Sequence, residues 1–329
     1  MIIVTGGAGF IGSNLVAGLE AAGHRDIVVC DVLGTEDKWR NIAGRELRDM
    51  VHPDRLFDFL HTYKDNITAI FHLGAISSTT ERDADLIIDI NFVLSRRLWK
   101  WCAKHDKRLI YASSAATYGD GEQGFDDTET IDALARLKPL NAYGWSKHVF
   151  DRRVARVLLE KSEGVPAQHV GLKFFNVYGP NEYHKGEQMS VVCKLYPQIM
   201  AGASARLFKS YHPKYADGGQ LRDFVWVEDC VNVMLWFLNH PHVNGLFNVG
   251  SGTARSFKDL AESAFKAAGK TPKITYIDMP ETLRHKYQNF TQANMAKLYA
   301  AGYTRPMTTL EDGVTQYIQG FMAKTDPYR

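Results

Sequence analysis

A tyrosine and a lysine separated by three residues point most directly to chemistry in this sequence. Tyr143 and Lys147 would lie about one turn apart on one face of a helix. A phenol with an ordinary pKa near ~10 is a poor base at neutral pH, but a nearby ammonium favours the phenolate and lowers that pKa. The pair could therefore exchange a proton with a substrate hydroxyl. Because this spacing is common on helix surfaces, it needs support from other residues.

A pair of serines supplies that support. Ser113 and Ser114 follow residues 109–112, a short apolar run typical of a buried strand. Ligands of open α/β sheets bind outside the carboxyl ends of the strands. We therefore expect the hydroxyl of Ser114 to hydrogen-bond the same substrate oxygen that Tyr143 would deprotonate.

A glycine-rich turn near the start of the sequence predicts a cofactor. Residues 6–12 read Gly-Gly-Ala-Gly-Phe-Ile-Gly and lie between a predicted strand and a predicted helix. Glycines permit a tight turn and let the backbone approach a pyrophosphate, whose charge the start of the helix can hold. Asp31 ends the next strand about 20 residues further on, where a carboxylate can accept hydrogen bonds from an adenosine ribose. The turn therefore indicates a dinucleotide site.

The residues alone leave the choice between NAD and NADP open. Asp31 favours the free 2′-hydroxyl of NAD and would repel a 2′-phosphate. Lys38 and Arg40 follow closely and could neutralise such a phosphate. Charged side chains of this kind more often lie in solvated loops.

The elements that must position these residues alternate along the first half of the chain. The runs predicted to form strands are residues 2–4, 27–30, 69–72, 109–112, 170–176 and 246–249. Helical periodicity precedes Gly23, which is placed to cap that helix, and recurs over residues 86–103. This alternation predicts an α/β fold with a doubly wound parallel sheet that is covered on both faces.

The second half of the chain is less regular and predicts a smaller mixed α/β domain. Residues 181–221 show weak periodicity, and capping boxes predict two later helices, Ser256 with Asp259 and Thr308 with Glu311. We expect a cofactor-binding Rossmann-type domain over residues 1–175, to which 222–250 return. The expected substrate domain comprises residues 176–221 and 251–329.

Bulk composition narrows the class of protein. The sequence is 45% hydrophobic and 23% charged with a net charge of +2, which is ordinary for a folded protein and favours neither nucleic acid nor a membrane as partner. No signal peptide and no apolar run of ~18 residues is evident, so we expect a cytoplasmic protein. The cysteines form no CxxC pair, which argues against disulfides and against a metal site. They are Cys30, Cys102, Cys193 and Cys230.

The order of glycine turn, serine and Tyr-x-x-x-Lys resembles the extended short-chain dehydrogenase/reductase superfamily. Residues 72–75, Asn91, Tyr118 with Gly119, and residues 222–229 agree with it. Within that superfamily the sequence is similar to the ADP-L-glycero-D-manno-heptose 6-epimerase family, over nearly its whole length. The stretches that carry this similarity are residues 74–81, 111–119, 174–186 and 287–292. The resemblance implies inversion at C6 of the heptose in an ADP-linked sugar, a step towards the inner core of lipopolysaccharide.

Inversion of a carbon also calls for a second acid–base group in addition to Tyr143. An epimerase removes hydride from one face of a carbon and returns it to the other, and one tyrosine serves one face only. In the resembling family the second group is the lysine that matches Lys185, whose neighbours His184 and Gly186 indicate a flexible basic loop. The resemblance further implies NADP rather than NAD, retained through each cycle, and a homo-oligomer such as a pentamer.

The resemblance implies two sets of binding residues. Those that match cofactor contacts are Gly6, Gly9, Phe10, Ile11, Gly12, Asp31, Val32, Lys38, Leu73, Gly74, Ala75, Ser77, Asn91, Lys147, Val177 and Lys185. Those that match substrate contacts are Ser77, Ser114, Asn176, Glu187, Lys194, Phe208, Arg222 and Tyr287. The sequence departs from the family pattern at Glu187, where a serine often follows the Lys-Gly pair, and over residues 214–220. Both departures concern substrate contacts rather than the reaction.

Three other functions are compatible with part of this pattern. A dehydratase needs carboxylates beside the reacting carbons, and residues 115–117 after Ser114 are Ala-Ala-Thr. A UDP-sugar 4-epimerase of the same superfamily is the nearest enzymatic alternative. A non-catalytic NADP-binding regulator need not retain Ser114, Tyr143 and Lys147 together, so their joint presence argues against it.

Overall fold

The computed structural model describes residues 1–284 and 287–329. Its strands are β1 (Ile2–Thr5), β2 (Ile27–Cys30), β3 (Asp49–Val51), β4 (Ala69–His72), β5 (Arg108–Ser114), β6 (Gln168–Phe174), β7 (Asn176–Tyr178), β8 (Ala205–Phe208), β9 (Leu221–Trp226), β10 (Gly245–Val249), β11 (Ala254–Ser256) and β12 (Ile274–Ile277). Its α-helices are α1 (Phe10–Ala21), α2 (Leu56–Thr62), α3 (Ala84–Ile88), α4 (Leu94–Lys104), α5 (Ile131–Ala135), α6 (Ala142–Glu160), α7 (Val191–Met200), α8 (Val227–Asn239), α9 (Phe257–Ala267), α10 (Glu281–Arg284), α11 (Ala296–Ala300) and α12 (Leu310–Tyr317). Short 3-10 helices span Asp37–Ile42, Pro53–Arg55, Ala115–Tyr118 and Tyr183–Gln188, and π-helical turns span Asp89–Val93 and Ile318–Met322.

The central feature is a parallel sheet of seven strands in the order β10-β6-β5-β4-β1-β2-β3. Successive side chains of a strand point to opposite faces, and both faces are apolar here. Ile2 and Val4 join the core that contains residues of α1 and α8, whereas Ile3 joins the core that contains residues of α2, α4 and α6. The prediction of a doubly wound α/β fold is confirmed.

The predicted strands lie close to their observed positions, with two differences. The edge strand β3 was missed, because two of its three residues are exposed and give no apolar run. The predicted strand over residues 170–176 is divided at Phe175 into β6, in the large sheet, and β7, in a smaller one. The helix predicted over residues 86–103 is interrupted by the π-helical turn Asp89–Val93.

The smaller sheets surround a second apolar core. Strand β9 lies between β11 and β7, and β12 pairs with β8. Helices α7, α9 and α12 contribute buried residues to this core. Residues 222–250 were expected to return to the large sheet, but only β10 of this segment does so. Strand β9 pairs instead with β7 and β11, and helix α8 packs on α1. The division into two domains stays a prediction.

One capping prediction is confirmed and one is wrong. The hydroxyl of Ser256 accepts from Asp259 N at 2.9 Å, and the Asp259 carboxylate accepts from Ser256 N at 3.0 Å, which completes the predicted capping box of α9. For α12 the cap is Thr309, paired with Asp312. Thr308 instead donates through its N–H and hydroxyl to the buried carboxylate of Asp229. Thr308 and Thr309 are followed by Glu311 and Asp312, so either threonine could cap the helix. The bonds from Thr308 to Asp229 leave Thr309 as the cap.

Over the part of the chain that the structure describes, no helix is both long and apolar enough to cross a membrane, and no group of three metal-ligating side chains is present. The four cysteines are free and buried.

Candidate active site

A cleft of about 440 Å³ opens at the carboxyl ends of β1, β4, β5 and β6. The predicted site residues that line it are Gly6, Gly9, Phe10, Ile11, Gly12, Asp31, Lys38, Leu73, Gly74, Ala75, Ser77, Ser114, Tyr143, Lys147, Val177 and Lys185. The glycine turn, the Ser-Tyr-Lys group and Lys185 therefore share one cavity. Side chains at this edge come together because parallel strands all end there.

The glycine turn is packed too closely for side chains. Gly6 has φ +68°, and a Cβ there would lie 2.5 Å from Gly74 N. A Cβ on Gly12 would lie 2.0 Å from the carbonyl oxygen of Gly6. No side chain caps α1 and no acidic residue lies in its first turn, so the positive start of the helix is available to an anion. These features fit the pyrophosphate of a dinucleotide.

Asp31 and Lys38 form an ion pair at the edge of the cleft. The Asp31 carboxylate accepts from Lys38 Nζ at 2.7 Å and from Ala8 N at 2.9 Å. Lys38 Nζ also donates to the carbonyl of Val32 at 2.9 Å. The lysine therefore offsets the negative charge that a 2′-phosphate would meet. Arg40, which was considered for the same role, lies elsewhere, 3.7 Å from Asp326.

Helix α6 places Tyr143 and Lys147 beside the end of β5. The carboxamide oxygen of Asn141 caps this helix by accepting from Gly144 N at 2.8 Å. A Cβ on Gly144 would lie 2.7 Å from the carbonyl oxygen of Ala116, so glycine allows the helix to approach the segment after Ser114. The predicted juxtaposition of serine, tyrosine and lysine is thus produced by a close contact between backbones.

Burial dominates the electrostatics of this group. Burial raises the pKa of Tyr143, and its hydrogen bond with Ser114 opposes that shift. Lys147 Nζ donates to the carbonyl of Ala112 at 2.8 Å, and burial lowers the pKa of this lysine to about 8. In the protein alone, burial therefore outweighs the Ser114 hydrogen bond, and the predicted lowering of the Tyr143 pKa depends on the Lys147 ammonium together with the positive charge of a nicotinamide.

Lys185 reaches the cleft from a short helix rather than from a flexible loop. It lies in the 3-10 helix Tyr183–Gln188, which is kinked at Gly186, a residue with a positive φ of +53° and non-helical geometry. Its Nζ lies 5.1 Å from the ring centroid of Phe10, close to the glycine turn. Burial lowers the pKa of Lys185, and the nearby Glu182 carboxylate partly opposes that shift. A lysine in this state can give and take a proton more readily than an exposed one.

Several predicted contacts do not line the cleft. Asn91 is fully buried, where its carboxamide accepts from Ile76 N at 2.8 Å and donates to Ile76 O at 2.9 Å, so it holds the loop that lines the cleft. Val32 is half exposed, and Glu187 forms an exposed ion pair with Lys194 at 2.9 Å. The remaining residues outside the lining are Asn176, Phe208, Arg222 and Tyr287.

Three of these residues form a second group. The guanidinium of Arg222 lies 5.1 Å from the ring centroid of Tyr287, and the rings of Phe208 and Tyr287 lie 6.4 Å apart, edge to face. Arg222 is buried, and its Nη1 donates to the carbonyl of Leu221 at 2.9 Å. Among the described residues no carboxylate forms an ion pair with it. The group therefore offers a desolvated cation between aromatic rings.

Sequence reasoning missed part of the lining. The missed residues are Ser78, Ala112, Ser113, Phe174, Phe175, His184 and Gln188. Most of them are sequence neighbours of predicted site residues, and this proximity was the signal that could have found them. A buried ion pair behind the cleft was also missed, between Asp151 Oδ2 and Lys173 Nζ at 2.9 Å. A lysine inside an otherwise apolar strand was the signal for it.

Comparison with known proteins adds to this geometry. Residues 2–250 match the profile of the NAD dependent epimerase/dehydratase family. The chain is 52% identical over 330 residues to the ADP-L-glycero-D-manno-heptose-6-epimerase of Nitratidesulfovibrio vulgaris, covering all of both chains. The crystal structure of the Helicobacter pylori protein of the same name is 28% identical with a TM-score of 0.78, covering 98% of this chain and 96% of that one. The UDP-glucose 4-epimerase of Thermus thermophilus in complex with NAD is 25% identical with a TM-score of 0.76, covering 98% and 99%.

Proposed function

Because the chain belongs to the NAD dependent epimerase/dehydratase family, and within it to the ADP-L-glycero-D-manno-heptose-6-epimerases, we propose that it inverts C6 of the heptose in an ADP-linked sugar. The observation that carries the proposal is the arrangement of two acid–base side chains in one cleft. Tyr143 enters it from α6, and Lys185 enters it from the 3-10 helix Tyr183–Gln188. Two such groups on different elements can serve the two faces of one carbon.

The first half of the reaction uses the tyrosine. A bound nicotinamide cofactor would supply the acceptor and donor of the C6 hydride. Tyr143 takes the proton of the C6 hydroxyl, so that the carbon and oxygen together lose a hydride and a proton and become a ketone. Ser114 hydrogen-bonds the same oxygen, and the ammonium of Lys147 stabilises the phenolate form of the tyrosine. A bound, oxidised nicotinamide would add a second positive charge near Tyr143.

The second half uses Lys185. When the ketone is reduced from its other face, Lys185 would supply a proton to the oxygen. Burial lowers the pKa of Lys185, which brings its proton affinity closer to neutral pH and suits a group that must both give and take a proton. The product carries the same atoms with the opposite configuration at C6.

The protein uses a nicotinamide cofactor, and we propose that this is NADP, returned to its starting redox state in each cycle. The proposal rests on the Lys38 ammonium, 2.7 Å from the Asp31 carboxylate, which would contact a 2′-phosphate and offset the acid beside it. Mass spectrometry of the nucleotide released on denaturing the purified protein tests it. We expect NADP. Release of NAD alone, without activity supported by NADP, would contradict the assignment.

The group of Arg222, Phe208 and Tyr287 is our proposed site for the ADP moiety. A guanidinium is shaped to bind diphosphate oxygens, and aromatic rings can pack on an adenine base. Asn176, Ser77, Glu187 and Lys194 remain proposed contacts to the sugar side of the substrate. We also propose a cytoplasmic homo-oligomer with the two-domain division given above.

The test of the function is conversion of a substrate with one C6 configuration. Purified protein is incubated with an ADP-linked glycero-manno-heptose, and the two epimers are separated and quantified. We expect a mixture of both epimers, with UDP-galactose left unconverted in a parallel reaction. Conversion of UDP-galactose without conversion of the ADP-heptose would favour the 4-epimerase alternative and contradict the proposal.

A further inference from the structure

We infer that residues 326–329, here called the tail segment, position the 3-10 helix that carries Lys185 against the glycine turn. Arg329 is then a positioning residue for the second face of the reaction. This inference rests on the proposed function of Lys185 and concerns what holds that lysine in place.

The first contact joins the tail segment to the residue that enters the Lys185 helix. Asn181 is fully buried and has the left-handed φ of +71°, a conformation in which asparagine is found more often than most other residues. Its Nδ2 donates to the hydroxyl of Ser13 on α1 at 3.0 Å. Its Oδ1 accepts from the backbone N–H of Arg329 at 2.9 Å.

The second contact joins the tail segment to the glycine turn. Asn14 is fully buried, and its Nδ2 donates to the carbonyls of Phe10 and Pro180, each at 2.9 Å. It therefore links the start of α1 with the segment before Lys185. Its Oδ1 accepts from the Arg329 guanidinium at 3.1 Å, and the same guanidinium forms an ion pair with Glu228. Arg329 thus donates hydrogen bonds to the carboxamide oxygens of both buried asparagines, Asn14 and Asn181.

Further contacts fix the Lys185 helix itself to the tail segment. The hydroxyl of Tyr183 donates to the carbonyl of Pro327 at 3.0 Å, and its ring meets that of Tyr328 edge to face, with centroids 5.2 Å apart. On the inner side, Asn41 Nδ2 lies 3.1 Å from His184 Nδ1 and donates to the carbonyl of Ala8 in the glycine turn at 2.8 Å.

These contacts act on one side of the cleft. The tail segment bonds to α1 and to the residues that lead into the Lys185 helix, whereas Tyr143 is placed by α6 and Ser114. Loss of the Arg329 side chain leaves the Asn14 carboxamide oxygen without this donor, so Asn14 and the segment that it links to Phe10 through Pro180 are held less firmly. We therefore expect Lys185 to be displaced while the tyrosine side of the site is preserved.

The experiment measures the two faces separately in the full-length protein with its cofactor bound. Each C6 epimer is mixed rapidly with enzyme, and reduction of the bound nicotinamide is followed by absorbance. One epimer loses its proton to Tyr143 and the other to Lys185, and the Lys185→Met variant identifies which is which. The test variants are Arg329→Ala and a chain that ends at residue 325, with Arg329→Lys as a conservative rescue.

We expect Arg329→Ala and the shortened chain to slow oxidation of the Lys185-dependent epimer by about 10- to 100-fold, as small displacements of a reacting group do. Oxidation of the other epimer should change by less than about threefold, and Arg329→Lys should recover much of the loss. The matched control is Lys324→Met, because that side chain is exposed and lies just outside the tail segment. It should leave both rates unchanged.

The outcomes separate this inference from the function on which it rests. Equal slowing of both epimers by Arg329→Ala would mean a general structural role and would overturn the inference, as would unchanged rates. If Lys185→Met itself oxidises both epimers at the wild-type rate, the proposed role of Lys185 fails instead. If Lys185→Met is selective and the Arg329 variants are not, only the role of the tail segment is rejected.

Discussion

The ion pair between Asp151 and Lys173 lies behind the cleft, and its burial determines how much stability we expect its loss to cost. Lys173 Nζ lies 2.9 Å from Asp151 Oδ2, and both side chains are completely buried. The same ammonium donates to the hydroxyl of Thr117 at 2.5 Å, and the same carboxylate oxygen accepts from Ser113 at 2.7 Å. Ser113 lines the cleft, so the pair fixes the strand end that presents the catalytic serine.

Lys173→Met removes the cation and leaves a buried carboxylate. Asp151 Oδ1 already lacks a hydrogen-bond partner among the described residues, so Ser113 would be the remaining contact of this carboxylate. Breaking a buried ion pair on one side costs about 3–5 kcal/mol, since the other charge stays desolvated. The double variant Asp151→Asn with Lys173→Met removes both charges and keeps a partner for Ser113. We expect it to be more stable than Lys173→Met alone by at least ~2 kcal/mol.

The assay is equilibrium unfolding in urea at constant cofactor concentration, because bound ligand adds to apparent stability. The matched control is Lys194→Met. That lysine pairs with Glu187 at 2.9 Å, but the Glu187 side chain is almost fully exposed, so loss of this pair should destabilise the protein far less than Lys173→Met does. The reasoning is refuted if Lys173→Met costs no more than the control, or if the double variant is as unstable as the sum of the single ones.

Three further predictions concern chemistry, the cofactor turn and pH. Tyr143→Phe should slow epimerisation by about 100- to 10,000-fold with cofactor still bound, as measured by turnover and released nucleotide. Gly12→Ala should yield protein without cofactor, since a Cβ would lie 2.0 Å from the Gly6 carbonyl oxygen. Burial lowers the pKa of His72 to about 3 from an ordinary 6.5. As the pH is lowered, the unfolded chain therefore protonates His72 before the folded protein does. The free energy of unfolding should fall between about pH 6.5 and pH 3, and it should fall less in His72→Gln.

The sequence predicted the cofactor half of the fold well, because its signals are local. A glycine turn between an apolar run and a helix has few alternative structures, and residues 6–12 form the turn into α1 as expected. Tyr143 and Lys147 share a helical face by spacing alone. Ser114 could be placed beside them because carboxyl ends of parallel strands meet at one edge of the sheet.

The parts that were missed depend on contacts between distant residues. Spacing says nothing about which charges pair across the fold, so the link from Asp151 to Lys173 and that from Arg329 to Asn14 were not predicted. The pKa of Tyr143 depends on burial, which a local pattern does not report. Asn91 and Lys185 illustrate the same limit. The first proved to hold a loop rather than line the cleft, and the second lies in a short helix rather than a flexible loop.

The central claim is that C6 is inverted by removal and return of the same hydride. It is tested most directly with ADP-heptose that carries deuterium at C6, incubated with the enzyme in ordinary water. The account predicts that the inverted product retains the deuterium at C6, because the label passes through the bound cofactor and back without contact with solvent. Inverted product in which solvent hydrogen has replaced the deuterium, or inversion at another carbon, would contradict it.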